Sequence, residues 1–126
     1  MSVKLKPLVW IGDSRKSLLK FPEEVLHDFG TALMYAQAGE KHQSTKPLKG
    51  FGGAGVLEVV EDHHSDTYRA VYTVKFAGIV YVLHTFKKKS KQGIATPKPD
   101  MKKIEERLKE AKRRHQEWTS RKRSEP

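Results

Sequence analysis

The chain has 126 residues and a mass of 14.4 kDa, the size of one ordinary domain, able to bury roughly two-thirds of its unfolded surface. Hydrophobic residues make up 37% and charged residues 32%, yet 5 Phe, 4 Tyr and 2 Trp exclude a disordered chain, and the absence of Cys excludes disulfides, thiolate metal sites and Cys nucleophiles. The net charge of +10 sits at one end: residues 1–86 hold 10 basic and 9 acidic groups, residues 87–126 hold 15 and 6.

Such asymmetry points to a polyanion, because neutralising several phosphates releases condensed counterions and supplies sequence-independent affinity. The alternatives are a solvated basic helix, or attraction to an anionic protein or membrane surface. No apolar run approaches the roughly 20 residues of a membrane helix, and the N-terminus lacks the apolar stretch of a secretory signal. The expectation is a soluble, cytoplasmic protein with no membrane partner.

In chain order, Leu8-Val9-Trp10-Ile11-Gly12 is short, apolar and closed by glycine, which predicts a strand. Asp13 and Ser14 are placed to cap a short helix through Leu18 and Leu19, ended by the Phe21-Pro22 step. Pro22 begins a second helix: Glu23 and Glu24 suit the positive end of its dipole, and Gly39 is a natural stop. Within it Val25, Leu26, Phe29, Leu33 and Ala36 recur at helical spacing as one buried stripe. Residues 40–55 are polar and then glycine-rich, predicting a loop.

Three strands follow, Val56 to Glu61, Tyr68 to Phe76 and Ile79 to Phe86, separated by Asp62–Asp66 and by Ala77-Gly78; two hairpins make a meander. An extended connector, Gly93 to Pro99, leads to a final helix from about Asp100 with Met101, Ile104, Leu108 and Ala111 as its apolar stripe. Beyond Trp118 no apolar residue anchors the chain, so residues 119–126 are expected to fray as a basic tail. The fold class is α+β: a strand, a helix pair, a small antiparallel sheet and a basic C-terminal helix, forming one domain over residues 1–118.

If Ala77-Gly78 is a two-residue turn, Phe76 faces Ile79, Val71 faces His84 and Arg69 faces Phe86. Alternation then puts Arg69, His84, Phe86 and Lys88 on one sheet face, with Tyr68, Tyr72, Tyr81 and Leu83 on the other. Converging cations cost stability unless an anion neutralises them. A guanidinium, an imidazole and several ammonium groups suit cleavage of a phosphodiester by the ribose 2′-hydroxyl, which needs a base, fixed positive charge and an acid.

His84 has the unperturbed pKa best placed for the base, and a lysine depressed by cationic neighbours is the rival. Arg69 can hold phosphate in a bidentate fork. Lys87, Lys88 and Lys89 can position the backbone or protonate the leaving group, within a basic run that reaches Lys91. Phe86 lies beside them, and Lys46 and Lys49 form a candidate basic lip over the RNA. No metal or cofactor is assigned. Gly50–Gly55 lacks the Lys-Ser/Thr ending of a P-loop and precedes a strand. His63-His64 beside Asp62 and Asp66 lacks a third ligand at convincing spacing, so turn chemistry is the reading there.

Three segments, Lys46-Pro47-Leu48-Lys49-Gly50-Phe51-Gly52, Tyr68-Arg69-Ala70-Val71-Tyr72, and Tyr81 to Ser90 running into Gly93-Ile94-Ala95-Thr96-Pro97, resemble the RelE/HigB-type toxins of bacterial toxin–antitoxin pairs, in their phage-derived HigB-like branch. The likeness spans roughly residues 5–115. It implies a RelE-like fold and a metal-independent, ribosome-dependent mRNA endoribonuclease, kept silent by a cognate antitoxin, commonly of helix-turn-helix type. It also implies that Arg69 contacts the scissile phosphate and that Lys88 falls near the basic residue at the end of the last strand.

Two positions depart from the RelE pattern. The strand that carries catalytic lysines there reads Val56-Leu57-Glu58-Val59-Val60-Glu61-Asp62 here, and no tyrosine follows Tyr81 to match the C-terminal catalytic one. The acid–base assignment is therefore not carried over, and His84 rests on geometry. The same fold hosts ParE-type inhibitors of DNA gyrase, and a nucleic-acid-binding module that never cleaves is a third class. The arginine, histidine and lysine face favours the nuclease, with residues 98–123 expected to grip ribosomal RNA.

Overall fold

The protein is described from a computed structural model, over residues 4–52, 55–88 and 96–124. Along the chain run β1 (Leu8–Trp10), α1 (Ser14–Leu18), α2 (Glu23–Gln37), β2 (Thr45–Pro47), β3 (Val56–His63), β4 (Asp66–Thr73), β5 (Val80–Lys88) and α3 (Lys98–Ser124). The strands form one sheet in the order β1-β5-β4-β3-β2. The α+β expectation is borne out. The sheet is mixed rather than antiparallel, because β1 runs parallel to β5, pairing Leu8 with Val80 and Trp10 with Val82. The segment expected to be loop also yields a strand: β2 pairs with β3 along the sheet edge, where Pro47 is tolerated.

The sheet has a helical layer on each face. On one, α2 buries Val25, Phe29, Ala32, Leu33 and Ala36 against Tyr68, Ala70, Tyr72, Val80 and Val82. Its chain turns away at Gly39, whose φ of +83° only glycine adopts cheaply. On the other face, Ile104 and Ala111 of α3 are fully buried against Val71, Tyr81 and Leu83. The far end of α3 is pinned to the β4–β5 connection: Tyr81 Oη meets His115 Nδ1 at 3.0 Å, and the His115 ring lies between those of Phe76 and Trp118. From there α3 continues to Ser124, past the point where fraying was expected. No described helix is long and apolar enough to cross a membrane.

The predicted register holds in the outer half of the hairpin, where Arg69 faces Phe86 and Val71 faces His84. It then shifts, with Tyr72 opposite Val82 and Thr73 opposite Tyr81, so β5 carries Leu83 as an extra residue. The physical reason is the connection: residues 74–79 separate the strands in place of a two-residue turn, and the bulge absorbs the difference. Tyr81 and Leu83 therefore face α3, on the side of Val71 and opposite to the expected face, while Tyr68 and Tyr72 face α2 as predicted. The other hairpin turns over His64-Ser65, with His64 at φ +57°.

Candidate functional site

Because β1 stops opposite Val82, the outer half of β5 keeps β4 on one side and has no strand on the other. The start of α1 takes that empty place. Ser14 Oγ donates to the Val82 carbonyl at 3.1 Å, and Thr85 Oγ1 donates to the Ser14 carbonyl at 2.7 Å, all buried. Asp13 was expected to cap α1, but it makes no side-chain cap bond. Its carboxylate instead accepts from Arg107 Nη2 of α3 at 2.7 Å.

Between α1, the end of β5 and the start of α3 lies an open pocket of about 390 Å³. Its walls include the cations Lys20, Lys87 and Lys103, the carboxylates of Asp13 and Asp100, the rings of Phe21, Tyr68 and Phe86, and His84. His84 is buried and stacks on Phe86, with ring centroids 4.8 Å apart at 17°. Its Nε2 lies 2.7 Å from Asp100 Oδ1, and its Nδ1 lies 3.1 Å from Arg107 Nη1. At the bulge, the Leu83 carbonyl accepts from the same Nη1 at 3.0 Å.

Arg107 is seated rather than merely nearby. A Cβ on Gly12, whose φ is +58°, would stand 2.8 Å from the guanidinium carbon. The four side chains Asp13, Arg107, His84 and Asp100 thus form one connected chain along the pocket wall. Burial pulls the His84 pKa below its ordinary 6.5, against the opposing hydrogen bond that the ring donates to Asp100, and the Arg107 charge adds to the lowering. The hydrogen bond from Arg107 holds the Asp13 carboxyl below its ordinary value.

Arg69 shares the sheet face of His84 but not its pocket. Its side chain is only 3% exposed, with Nη1 3.5 Å from Glu58 Oε2 and 3.3 Å from Thr96 Oγ1. Glu58 and Thr96 line a second hollow of about 540 Å³ with Lys46, Lys49, Leu48 and Met101. Pairing of β2 with β3 places Lys46 beside Glu58, at 3.8 Å. The start of α3 lies between the two hollows, giving Asp100 and Lys103 to one and Met101 to the other.

The expected single cluster of cations is therefore divided. Phe86 and Lys87 join His84, and Lys87 also pairs with Asp66 at 3.7 Å. Lys46 and Lys49 belong to the Arg69 side. Lys88 ends β5 opposite Thr67 and lines neither hollow. Lys89 and Lys91 lie outside the described residues. The physical reason is acidic: Glu58 neutralises Arg69 and Lys46 on one side, Asp100 accepts from His84 on the other, and α3 closes over the face between them.

Sequence reasoning missed Glu58, Asp100, Arg107, Lys20 and Lys103. A signal existed for three of them. Glu58 has the alternation of inward-facing Val56, and Asp100 and Arg107 stand four residues before and three after buried Ile104 on the core side of α3.

A sequence model described as "Phage derived protein Gp49-like (DUF891)" matches residues 16–109. The chain belongs to the phage-derived Gp49-like family. This RelE/HigB-like family is the one that residues 46–52, 68–72 and 81–97 resemble. A chain in the crystal structure of the toxin–antitoxin complex RelBE2 from Mycobacterium tuberculosis is similar at 18% identity and a TM-score of 0.45, over 71% of this chain and 98% of that one. Among curated proteins none matches this Gp49-like chain.

Proposed function

We propose that this Gp49-like chain is the toxin of a toxin–antitoxin pair and acts as a ribosome-dependent mRNA endoribonuclease. The observation that carries this reading is the His84 pocket, which combines three lysines, two carboxylates and aromatic walls in one opening. Ammonium groups attract the RNA backbone, rings of Phe21 and Phe86 offer faces to an unstacked base, and a carboxylate can exchange a proton. The exposed charge of α3 adds sequence-independent affinity for ribosomal RNA.

The phosphate contact that resemblance gives to Arg69 has no open path in this arrangement, since Glu58 and Thr96 enclose it. The lysines of the His84 pocket take over that role. The antitoxin, of helix-turn-helix type by resemblance, silences the protein by covering this pocket or by drawing α3 away from β5.

A second reading has one observation in its favour. Arg69 is sealed against an acid and His84 is engaged at both ring nitrogens, as suits a scaffold that binds without cutting, whether on DNA gyrase or on nucleic acid. Purified ribosomes carrying a defined mRNA separate the two. The nuclease reading predicts cut mRNA in the A site, whereas intact mRNA together with blocked gyrase supercoiling would favour the gyrase poison.

A further inference from the structure

Resting on the nuclease reading of the same pocket, we infer that Asp100, and not His84, accepts the proton of the attacking 2′-hydroxyl. A guanidinium donates hydrogen bonds and accepts none. The 3.1 Å contact between Arg107 Nη1 and His84 Nδ1 therefore uses the Nδ1 lone pair as acceptor. The ring proton is then on Nε2, where it is donated to Asp100 Oδ1 at 2.7 Å. Neither ring nitrogen has a lone pair left for a substrate proton.

Arg107 is not free to withdraw and release Nδ1. It also donates to the Leu83 carbonyl at 3.0 Å and to Asp13 Oδ1 at 2.7 Å, and its guanidinium lies in the space that Gly12 leaves by lacking a Cβ. Protonating Nδ1 in place would set an imidazolium N–H against a guanidinium N–H. His84 is thus a positioning residue, and what it positions is a carboxylate.

Asp100 has the properties His84 lacks. Its side chain is 25% exposed and lines the pocket, one oxygen is held by His84, and Oδ2 has no partner among the described residues. The rival carboxylate, Asp13, is engaged by Arg107, whose hydrogen bond, with its charge, weakens it as a base. A carboxylate fixed in orientation by a buried neutral donor loses little freedom when substrate arrives.

In the step this implies, the ribose O2′ attacks the adjacent phosphorus while its proton passes to Asp100 Oδ2. The bond from phosphorus to O5′ breaks, and the departing oxygen takes a proton from the Lys103 ammonium, one helical turn from Asp100 in the same pocket. The products carry a 2′,3′-cyclic phosphate and a 5′-hydroxyl. Asp100 returns its proton to water and Lys103 regains one, which closes the balance.

The test is the Asp100→Asn full-length protein on purified ribosomes carrying a defined mRNA, under single-turnover conditions. The asparagine oxygen still accepts from His84 Nε2–H but takes no proton. The cleavage rate should fall about 100-fold or more, while ribosome affinity stays within about threefold. Asp100→Glu, which restores a carboxylate, should cut at least roughly tenfold faster than the asparagine variant, and it reports independently if Asp100→Asn folds poorly. Cleavage by Asp100→Asn at the wild-type rate, or no rescue by glutamate, would overturn the inference and leave the nuclease reading intact. Failure of the wild type itself to cut would remove the nuclease reading, and this inference with it.

Discussion

The two sides of the start of α3 are built from the same materials and do different things. On one side Arg69 meets Glu58, with side-chain exposures of 3% and 6%. On the other His84 meets Asp100, buried at the imidazole but open at the carboxylate. A sealed ion pair exchanges nothing with solvent and serves to join β3, β4 and the segment before α3. A pair with one end in a pocket can offer that end to a ligand. Residue type alone is thus a poor guide to which basic side chain is functional, and the accessibility of its acidic partner is a better one.

The comparison breaks most visibly at Arg69. Arg69→Ala leaves Glu58 buried without its main partner and should cost about 3 kcal/mol in urea unfolding, the low end for breaking a buried pair because Lys46 remains beside Glu58. Replacing both partners, Arg69→Met with Glu58→Leu, should return stability to within about 1 kcal/mol of wild type. An Arg69→Ala protein that unfolds like wild type yet no longer engages RNA would mean that Arg69 is a ligand contact after all.

Gly12→Ala probes the other side. A side chain at φ +58° is strained, and its Cβ collides with the Arg107 guanidinium. The expected cost is about 1–2 kcal/mol, with an accompanying change in the His84 ring signals by NMR. Unchanged His84 signals would show that Arg107 does not hold the ring.

The smallest expected effect is a pH dependence. Because the His84 pKa is lowered in the folded state, the unfolded chain takes up the proton first as pH falls. The stabilisation from neutral His84 is therefore complete above its ordinary 6.5 and is lost progressively below it. The stability advantage of wild type over His84→Gln should be larger at pH 7.5 than at pH 5.5. Glu61, pushed up to about 7 by burial and by Asp28, contributes a slope of opposite sign in both proteins and cancels in the difference. An advantage that grows towards acid pH would contradict the neutral, burial-dominated histidine.

Much of the scaffold was legible in the sequence because its signals are local. The period of Val25, Phe29, Leu33 and Ala36 specified α2, Gly39 stopped it, and the outer register of β4 and β5 followed from alternation. What failed was non-local. The bulge at Leu83 depends on how a six-residue connection closes, and β2 forms only because the β3 edge is there to pair with it. The site suffered in the same way. Arg69 and His84 were placed on the correct face, but their partners come from a neighbouring strand and from a helix 16 or more residues away. Charge counts along the chain have no means of matching a cation to the acid that folding brings to it.

The central claim is that RNA enters on the His84 side of α3 and not on the Arg69 side. NMR titration of the full-length protein with a single-stranded RNA carrying a 2′-deoxy substitution at the scissile position tests this most directly. The account predicts perturbations concentrated at Lys20, Phe86, Lys87, Asp100 and Lys103, with Lys46, Lys49 and Arg69 unaffected. Perturbations centred on Lys46, Lys49 and Arg69, with the His84 pocket silent, would contradict it.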